Sequence, residues 1–226
     1  MKRVTLSFDN GPDAEVTPMV LDVLARHGIR ATFFLVGSKI AAGRAASERA
    51  QAEGHWIGNH TWSHSIPFRD RGDADFVAAE IDDTQRELGA LSRPERLFRP
   101  YGGQGRLDGA LNHVAVRHLE AGGYTCIAWN AVPGDFRDFD GWVDAALRQI
   151  DELDWPLVVL HDIYGAAMRH LDRFIGRVKD RGAAFEQAFP PNCIAIDRGQ
   201  RTEMLRTGIL AGGSALSADR LSMAPK

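Results

Sequence analysis

Side chains that can move protons, bind metals or polarise a carbonyl follow several short apolar segments of this sequence. They are Asp9, Asn10, His60, His64, Arg99, Tyr101, Asp135 and His161. Each stands just past the carboxyl end of a predicted strand. In parallel α/β folds the loops after the strands share one mouth, and ligands bind there. The sequence therefore predicts that these residues, although distant in the chain, meet at one site.

Two short motifs indicate what that site could do. His60 and His64 are four residues apart, so on a helical turn both imidazoles would lie on one face and could bind one cation. Asp9 and Asn10 precede a Gly-Pro turn that would hold them rigidly. Taken singly, each motif has an ordinary explanation, two surface histidines in one case and an Asx turn in the other.

The elements that must position these residues alternate along the chain between short apolar segments typical of strands and longer stretches with the apolar period of a helix. Strand-like apolar segments occur at residues 4–8, 31–36, 55–58, 97–98, 124–129, 157–160 and 193–196. Stretches of helical period separate them, which favours a parallel sheet, either open or closed into a barrel. The first strand is not followed by a glycine-rich GxGxxG or GxxxxGK[ST] turn, which argues against a nucleotide-binding version.

Composition excludes several classes of partner. The 226 residues are 44% hydrophobic and 25% charged, which is typical of one large globular domain. The formal charge is −3 with interleaved signs, so we expect no nucleic-acid partner. No apolar run approaches the roughly 20 residues that cross a bilayer, so we expect no membrane partner. Two cysteines, Cys126 and Cys193, cannot form a disulfide framework.

The carboxyl-terminal segment differs in composition from the rest. We assign residues 1–197 to the catalytic barrel and residues 198–226, rich in Gly, Ala, Ser and Arg, to an appendage. The appendage either wraps the domain or contacts a second copy as a homo-oligomer; a loosely held tail is an equal alternative.

The motifs together resemble a known family. In order they are FDxGP at 8–12, GNHTxxH at 58–64, FRPYG at 98–102, Trp129 with the later Asp135, and LHD at 160–162. This order resembles the polysaccharide deacetylase family, also called carbohydrate esterase family four or the nodulation-deacetylase domain. The resemblance runs from about residue 5 to about residue 162. It implies an α/β fold, a distorted (β/α) barrel with about seven parallel strands, and a metal-dependent hydrolase that removes acetyl groups, N-acetyl more than O-acetyl, from a carbohydrate or small acetylated substrate.

The resemblance also implies catalytic roles. Asp9 would be the general base, and Arg99 would keep it ionised and aimed. His161 would be the general acid that protonates the leaving amine, with Asp135 favouring its imidazolium form. The backbone N–H of Tyr101 would help bind the developing oxyanion.

The remaining implied roles concern the metal and the acetyl group. One divalent metal is expected, zinc ahead of cobalt, nickel or manganese. Its ligands would be His60, His64 and the residue in the place of Asn10. The apolar wall that receives the acetyl methyl would be formed by Trp129, Leu160 and Val159.

Three departures from the family pattern affect these expectations. Asn10 stands where the family usually has a second aspartate, so we expect weaker metal binding that favours nitrogen-preferring metals; Asp13 is a candidate substitute ligand. The Arg99-Pro100-Tyr101 motif is one residue short, so Gly102 could supply the oxyanion N–H instead. The family's DxxDW motif lacks one acid here, and its Trp is Phe136.

Two other functions remain open at this stage. One is hydrolysis of another linear or cyclic amide, as in metal-free relatives that resemble allantoinases. The other is a non-catalytic sugar-binding module that would use aromatic residues near the mouth, namely Trp62, Tyr101, Trp129, Phe136 and Trp142. The sequence begins on its first predicted strand without a leader, so we expect a cytoplasmic protein and a small or soluble substrate.

Overall fold

A computed structural model of the chain describes residues 1–102, 107 and 110–207. Its strands are β1 (Arg3–Asp9), β2 (Thr32–Leu35), β3 (Trp56–Asn59), β4 (Leu97–Phe98), β5 (Thr125–Ile127), β6 (Leu157–His161), β7 (Ala184–Glu186), β8 (Ile194–Asp197) and β9 (Gln200–Arg201). The first six match the first six predicted strands. The predicted fold class, a distorted (β/α) barrel, is confirmed.

One curved sheet carries the barrel. The strand order is β6-β1-β2-β3-β4-β5-β8-β9, and β7 pairs with β1. All pairs from β6 through β1 to β5 are parallel, as is the pair of β7 with β1. Just beyond β5, Ala131 makes an isolated parallel bridge to Val158 of β6, which brings the two ends of the parallel series together. The carboxyl ends of these strands consequently surround one mouth.

The prediction that residues 193–196 form the seventh parallel strand was wrong. Residues 193–196 correspond to β8, which runs antiparallel to β5 rather than parallel. The seventh parallel strand is instead β7, which pairs with β1 along Arg3–Thr5. Its three residues Ala-Phe-Glu are only half-buried, so they carry no apolar run that periodicity could detect.

Helices follow most strands. They are α1 (Val16–His27), α2 (Gly37–Ile40), α3 (Arg44–Ala52), α4 (Ala74–Ala78), α5 (Thr84–Leu88), α6 (His113–Ala121), α7 (Trp142–Glu152), α8 (Gly165–Met168), α9 (Leu171–Asp180) and α10 (Glu203–Thr207). A π-helical turn, Ala79–Asp83, joins α4 to α5. Asp73 caps α4 by accepting from the N–H of Phe76, and Gly28 ends α1 in the left-handed conformation.

The barrel core is built mainly from β1, β2 and β6 and from the helices against them. Its buried side chains include Phe8, Phe33 and Leu160, which meet the apolar faces of α1, α7 and α9. A second cluster surrounds α6, β5 and β8. Burial of these apolar faces fixes the strands, and hence the loops at their ends.

Part of the segment that we assigned to the appendage packs on the domain. Gln200–Arg201 pairs with β8, and Met204 and Leu205 of α10 are buried in the second cluster. Residues 208–226 lie outside the described residues. In the part of the chain that the structure describes, every helix is too short or too polar to cross a bilayer.

Candidate active site

A cavity of about 350 Å³ opens at the carboxyl ends of the parallel strands. It is lined by Asp9, Asn10, His60, His64, Pro100, Tyr101, Gly102, Trp129, Val132, Phe136, Val159, His161 and Tyr164. Most residues that sequence motifs selected therefore meet at one place. Arg99 and Asp135 lie directly behind this wall, fully buried.

Asp9 ends β1 and is held by Arg99. The Arg99 Nη1 donates to Asp9 Oδ1 at 2.7 Å and to the Ser7 hydroxyl at 2.8 Å. The other guanidinium nitrogens of Arg99 donate to the carbonyls of Ile127 and Ala128. Burial by itself would raise the pKa of Asp9, but the charge and hydrogen bond of Arg99, together with His60 and His161, hold that pKa below its ordinary value. Asp9 is therefore a carboxylate with a fixed direction.

His161 ends β6 and is held by Asp135. The His161 Nδ1 donates to Asp135 Oδ1 at 2.9 Å, and the backbone N–H of His161 donates to Oδ2 at 2.8 Å. Burial alone would lower the pKa of His161, but the hydrogen bond and charge of Asp135 raise it above its ordinary value. The Nε2 of this imidazolium is thereby left as the proton donor.

His60 and His64 present two neutral imidazoles. The Nδ1 of His60 donates to the Arg99 carbonyl at 2.8 Å, which leaves its Nε2 3.7 Å from Asp9 Oδ2. The two imidazole ring centroids are 4.9 Å apart. Burial lowers the pKa of His60, and burial together with His60 lowers the pKa of His64 to about 3. Both rings therefore keep a free lone pair, which is the form that binds a metal.

The loop that carries these histidines is strained and braced. Thr61 and His64 have φ of 65° and 51°, which non-glycine residues rarely adopt. Glu80, in the π-helical turn, accepts from the Ser63 N–H at 2.9 Å and from the Ser63 hydroxyl at 2.6 Å. Asn59 accepts from the Thr61 N–H and donates to the Ile81 carbonyl of the same turn. The π-helical turn thus fixes the loop at two points.

Glu80 was not selected from the sequence. Glu80 as a residue is only 6% exposed, although acidic residues in helices usually lie on the surface. The available signal was an acid on the buried side of the helix, between the apolar positions Val77 and Ile81. Such an acid requires a partner, because an unpaired buried carboxylate is costly.

Asn10 lines the same cavity as the two imidazoles and carries an unsatisfied side-chain oxygen. Its Oδ1 is buried and has no hydrogen-bond partner, and its φ is 74°. Lys39 donates to its backbone carbonyl at 2.8 Å, so the backbone of the turn is held independently of the side chain. An orphaned buried oxygen is destabilising unless a ligand satisfies it. This donor set, two imidazoles and an amide oxygen, fits a divalent metal with nitrogen preference.

The proposed substitute ligand, Asp13, was wrong. Its Oδ1 accepts from the backbone N–H groups of Glu15 and Val16 at the start of α1. It is also outside the cavity lining, because it caps the first turn of that helix. Within residues 1–102, 107 and 110–207, His, Cys, Asp and Glu side chains form no group of three or more that could hold a metal.

Leu160 does not line the cavity, contrary to the sequence-based expectation. It is fully buried in the barrel core, whereas Val159 lines the cavity together with Trp129. Successive side chains of a strand point to opposite faces, so only one of two neighbours can reach the site. Trp142 is likewise in the core, where its indole N–H donates to the Ala167 carbonyl.

Tyr101 and Gly102 lie at the mouth after β4. The Tyr101 ring packs on His64 with centroids 4.0 Å apart, and Gly102 has φ of 88°. Residues 103–106, which follow them, are outside the described part of the chain. Phe136 and Tyr164 flank His161 at ring distances of 5.1 and 6.2 Å. Tyr164 was not selected from the sequence, where no motif singles it out.

A further buried acid, Asp162, lies beneath the site and contacts the turn after β1. The Thr17 hydroxyl donates to its Oδ2 at 2.5 Å, while its Oδ1 has no partner. It packs so closely on Gly11 that a Cβ there would lie 2.4 Å from Oδ2. Burial raises the pKa of Asp162 to about 6. The aspartate of LHD therefore belongs to the support of the β1 turn, and glycine is required at position 11.

Comparison with known proteins identifies the family that the sequence resembles. The profile of the polysaccharide deacetylase family matches residues 1–126. The peptidoglycan-N-acetylglucosamine deacetylase PgdA of Listeria monocytogenes is 30% identical over 186 residues, 81% of this chain and 37% of that protein. A peptidoglycan-N-acetylglucosamine deacetylase of Bacillus cereus is 30% identical over 167 residues, 71% of this chain and 73% of that protein.

A solved structure extends the agreement to the fold. Peptidoglycan deacetylase PdaC from Bacillus subtilis superposes with a TM-score of 0.68 at 28% identity, covering 81% of this chain and 86% of that chain. The chain spans about 37% of the length of the first curated relatives that it matches. With the family's motifs gathered around one cavity and its profile matched over more than half of the sequence, the chain belongs to the polysaccharide deacetylase family.

Proposed function

We propose that this protein is a hydrolase that removes acetyl groups from N-acetylated sugars. One observation carries the proposal: a fixed carboxylate, Asp9, and a charged imidazole, His161, line the same cavity beside two neutral imidazoles. Amide hydrolysis requires a base for the attacking water and an acid for the leaving amine. The named relatives act on N-acetyl groups of peptidoglycan sugars, which supports this substrate class.

Asp9 supplies the base. Its carboxylate takes a proton from water while the water oxygen forms a bond to the acetyl carbonyl carbon. Arg99 keeps Asp9 ionised and aligned, since two of its donors hold Asp9 and Ser7 in a fully buried arrangement. Asp9 is therefore already aligned before the substrate binds, and no entropy has to be lost in orienting it during the reaction.

His161 supplies the acid. When the carbon–nitrogen bond breaks, the Nε2 proton of His161 moves to the sugar nitrogen, so that a neutral amine and acetic acid leave. The acetic acid ionises to acetate in solution, and the proton that Asp9 took passes back to His161 through solvent, which restores both groups. Asp135 sets the direction of this transfer because it occupies Nδ1 of the same ring. Val159 and Trp129 offer apolar contact to the acetyl methyl.

Enzymes of this family depend on a metal in general, and the residues that would hold it here are His60, His64 and Asn10. A divalent metal, zinc ahead of cobalt, nickel or manganese, would supply Lewis acidity toward the acetyl carbonyl when bound. The orphaned Oδ1 of Asn10 supports this ligand set. Because that amide carries no charge, binding would be weaker than with a carboxylate in its place.

Acetate release from an N-acetylglucosamine oligomer, measured with added Zn²⁺ or Co²⁺, tests the function. Asp9→Asn and His161→Gln should each lower kcat/KM by roughly 10²-fold or more, the usual contribution of a general acid or base. His27→Ala is the matched histidine control, because His27 ends α1, pairs with Asp172 of α9 and does not line the cavity; this variant should keep full activity. Turnover that survives Asp9→Asn would refute the mechanism.

The same assay separates the two alternatives. Hydrolysis of a cyclic amide, such as a hydantoin, without metal and without sugar deacetylation would favour the imidase function. Sugar binding that persists in Asp9→Asn, in a protein that releases no acetate under any metal condition, would favour a binding module.

A further inference from the structure

The two imidazoles of the cavity are held by different kinds of contact. The Nδ1 of His60 donates to the Arg99 carbonyl at 2.8 Å, and the backbone N–H of His60 donates to the Leu35 carbonyl at 2.9 Å. Among the described residues the ring of His64 has no hydrogen-bond partner. Its ring contacts are with His60 and Tyr101, at centroid distances of 4.9 and 4.0 Å. The closer of the two is the contact with Tyr101.

This difference matters for a metal ligand. A histidine that binds a metal usually has its ring direction fixed by a hydrogen bond from the ring nitrogen that faces away from the metal. His60 has that bond, whereas no described residue provides one to His64. The Glu80 brace does not replace it, because Glu80 accepts from the N–H and the hydroxyl of Ser63 and not from the imidazole of His64. The direction of the His64 ring therefore depends on its packing against Tyr101.

The backbone on both sides of Tyr101 is itself restrained. Pro100 joins Tyr101 to Arg99; its ring fixes its own φ and restricts the conformation of the residue before it. Arg99 is fully buried. On the other side Gly102 has a φ of 88°, and a Cβ at this position would lie 2.8 Å from Cγ of Pro67, in the loop that carries the histidines. Tyr101 is thus anchored to the barrel at one end and packed on the histidine loop at the other.

We propose that the side chain of Tyr101 is a positioning residue that orients His64 for metal binding. Residues 99–101 then hold both imidazoles, Arg99 through its carbonyl and Tyr101 through its ring. This role is separate from the oxyanion contact expected of the Tyr101 backbone N–H, because it belongs to the side chain. The inference rests on the proposed function only through the assignment of His60 and His64 as metal ligands.

Titration of the chelator-treated full-length protein with Co²⁺, followed by visible absorption, tests this role without any substrate. Tyr101→Leu keeps an apolar side chain and the backbone N–H but removes the ring. It should raise the Kd for Co²⁺ roughly 10- to 100-fold and change the absorption bands of the bound ion. Tyr101→Phe keeps the ring and should retain the wild-type Kd and spectrum.

Tyr164→Leu is the matched control, because Tyr164 lines the same cavity but makes its ring contacts with Phe139 and His161. It should leave the Kd and the spectrum unchanged. A wild-type Kd and spectrum in Tyr101→Leu, or an equal change in Tyr101→Phe, would overturn the proposal.

Proton NMR of the metal-free wild type gives a second test that does not depend on how well a variant folds. The ring signals of His64, assigned with His64→Gln, should be shifted by the ring current of Tyr101, because the two ring centroids are 4.0 Å apart. The shift should persist in Tyr101→Phe and disappear in Tyr101→Leu. His64 signals at the positions of an unpacked imidazole in the wild type would contradict the proposal.

Acetate release from an N-acetylglucosamine oligomer, measured on the same variants, separates this inference from the proposed function. Loss of Co²⁺ affinity in Tyr101→Leu, for a protein that releases no acetate, would support the positioning role and refute the deacetylase. Acetate release together with a wild-type Co²⁺ affinity in Tyr101→Leu would support the deacetylase and refute the positioning role.

Discussion

Asp135 accepts two hydrogen bonds from a single residue, His161. One comes from the imidazole Nδ1 and the other from the backbone N–H, at 2.9 and 2.8 Å, and the carboxylate is fully buried. Both oxygens of Asp135 therefore bind the same residue, one its ring and the other its backbone. The pair fixes the rotation of the imidazole, its tautomer and its charge together.

Asp135→Asn should impair proton donation by His161. The raised pKa of His161 keeps it protonated above its ordinary range, so the wild-type activity should fall only as pH rises through that raised value. Without the carboxylate, burial would lower the pKa, and the alkaline limb of kcat/KM should move to lower pH. At pH 8 we expect a loss of roughly 10²-fold in acetate release from an N-acetyl sugar.

An ester provides the control for this prediction. 4-Nitrophenyl acetate has a leaving group that needs no proton, so its hydrolysis should depend much less on Asp135→Asn. An equal loss on ester and amide at every pH would show that Asp135 acts on the fold of the site rather than on the proton of His161.

Asn10→Asp should tighten metal binding. The change places a charge beside two neutral imidazoles at a position whose oxygen is buried and unpaired. Aspartate tolerates the φ of 74° nearly as well as asparagine. We expect at least a tenfold lower Kd for Zn²⁺, about 1.4 kcal/mol, in competition with a chelating dye.

Asn10→Gly is the matched variant for this position, because glycine accepts the same φ but carries no oxygen. It should raise the Kd for Zn²⁺. Identical affinities in the wild type and both variants would exclude Asn10 as a ligand.

Much of the fold followed from periodicity, because the buried parallel strands are short apolar runs bounded by helices. The first six strands were predicted in this way. The short strand β7 was missed because its half-buried Ala-Phe-Glu segment owes its conformation to pairing with β1, whose residues are 181 positions away in sequence. The direction of strand β8 could not be predicted either, because nothing in residues 193–196 distinguishes an antiparallel strand from a parallel one.

Site residues were predicted from the sequence where a chemically capable side chain stands within a recognisable motif, as Asp9 and His161 do. Residues that hold the site in place, such as Glu80, were missed. Glu80 binds the N–H of Ser63, and that contact exists only once the chain has folded and brought the two residues together. Neighbouring residues on a strand posed another problem: Val159 and Leu160 are alike in type, and only the strand's orientation decides which one reaches the cavity.

Removing the Glu80 brace should weaken metal binding through His64. Glu80→Ala leaves the Ser63 N–H without its acceptor next to a strained histidine, so we expect the Kd for Co²⁺ to rise roughly 10- to 100-fold. The visible absorption of bound Co²⁺ should change as its ligand geometry loosens. Glu80→Gln should largely restore the Kd for Co²⁺ and the absorption spectrum, because the Ser63 hydroxyl can accept a hydrogen bond from the new amide.

Glu87→Ala is the control for the loss of an acid nearby, because Glu87 pairs with Arg44 rather than with the histidine loop. It should leave the Co²⁺ spectrum unchanged. A Glu80→Ala protein with wild-type Co²⁺ affinity and spectrum would limit Glu80 to a role in stability.

Asp162→Asn should alter how the free energy of unfolding depends on pH. The folded pKa of Asp162, about 6, exceeds its ordinary value of 3.8, so the folded state retains a proton that the unfolded state releases between these values. Wild-type stability should therefore fall as pH rises from about 4 to about 6, by about 3 kcal/mol once the loss is complete.

The asparagine variant lacks this titration. Its stability relative to the wild type should improve by about 2 kcal/mol between pH 4.5 and 7.5, measured by urea unfolding at both values. Parallel pH profiles for the two proteins would contradict the prediction, because they would show that burial leaves the pKa of Asp162 the same in the folded and unfolded states.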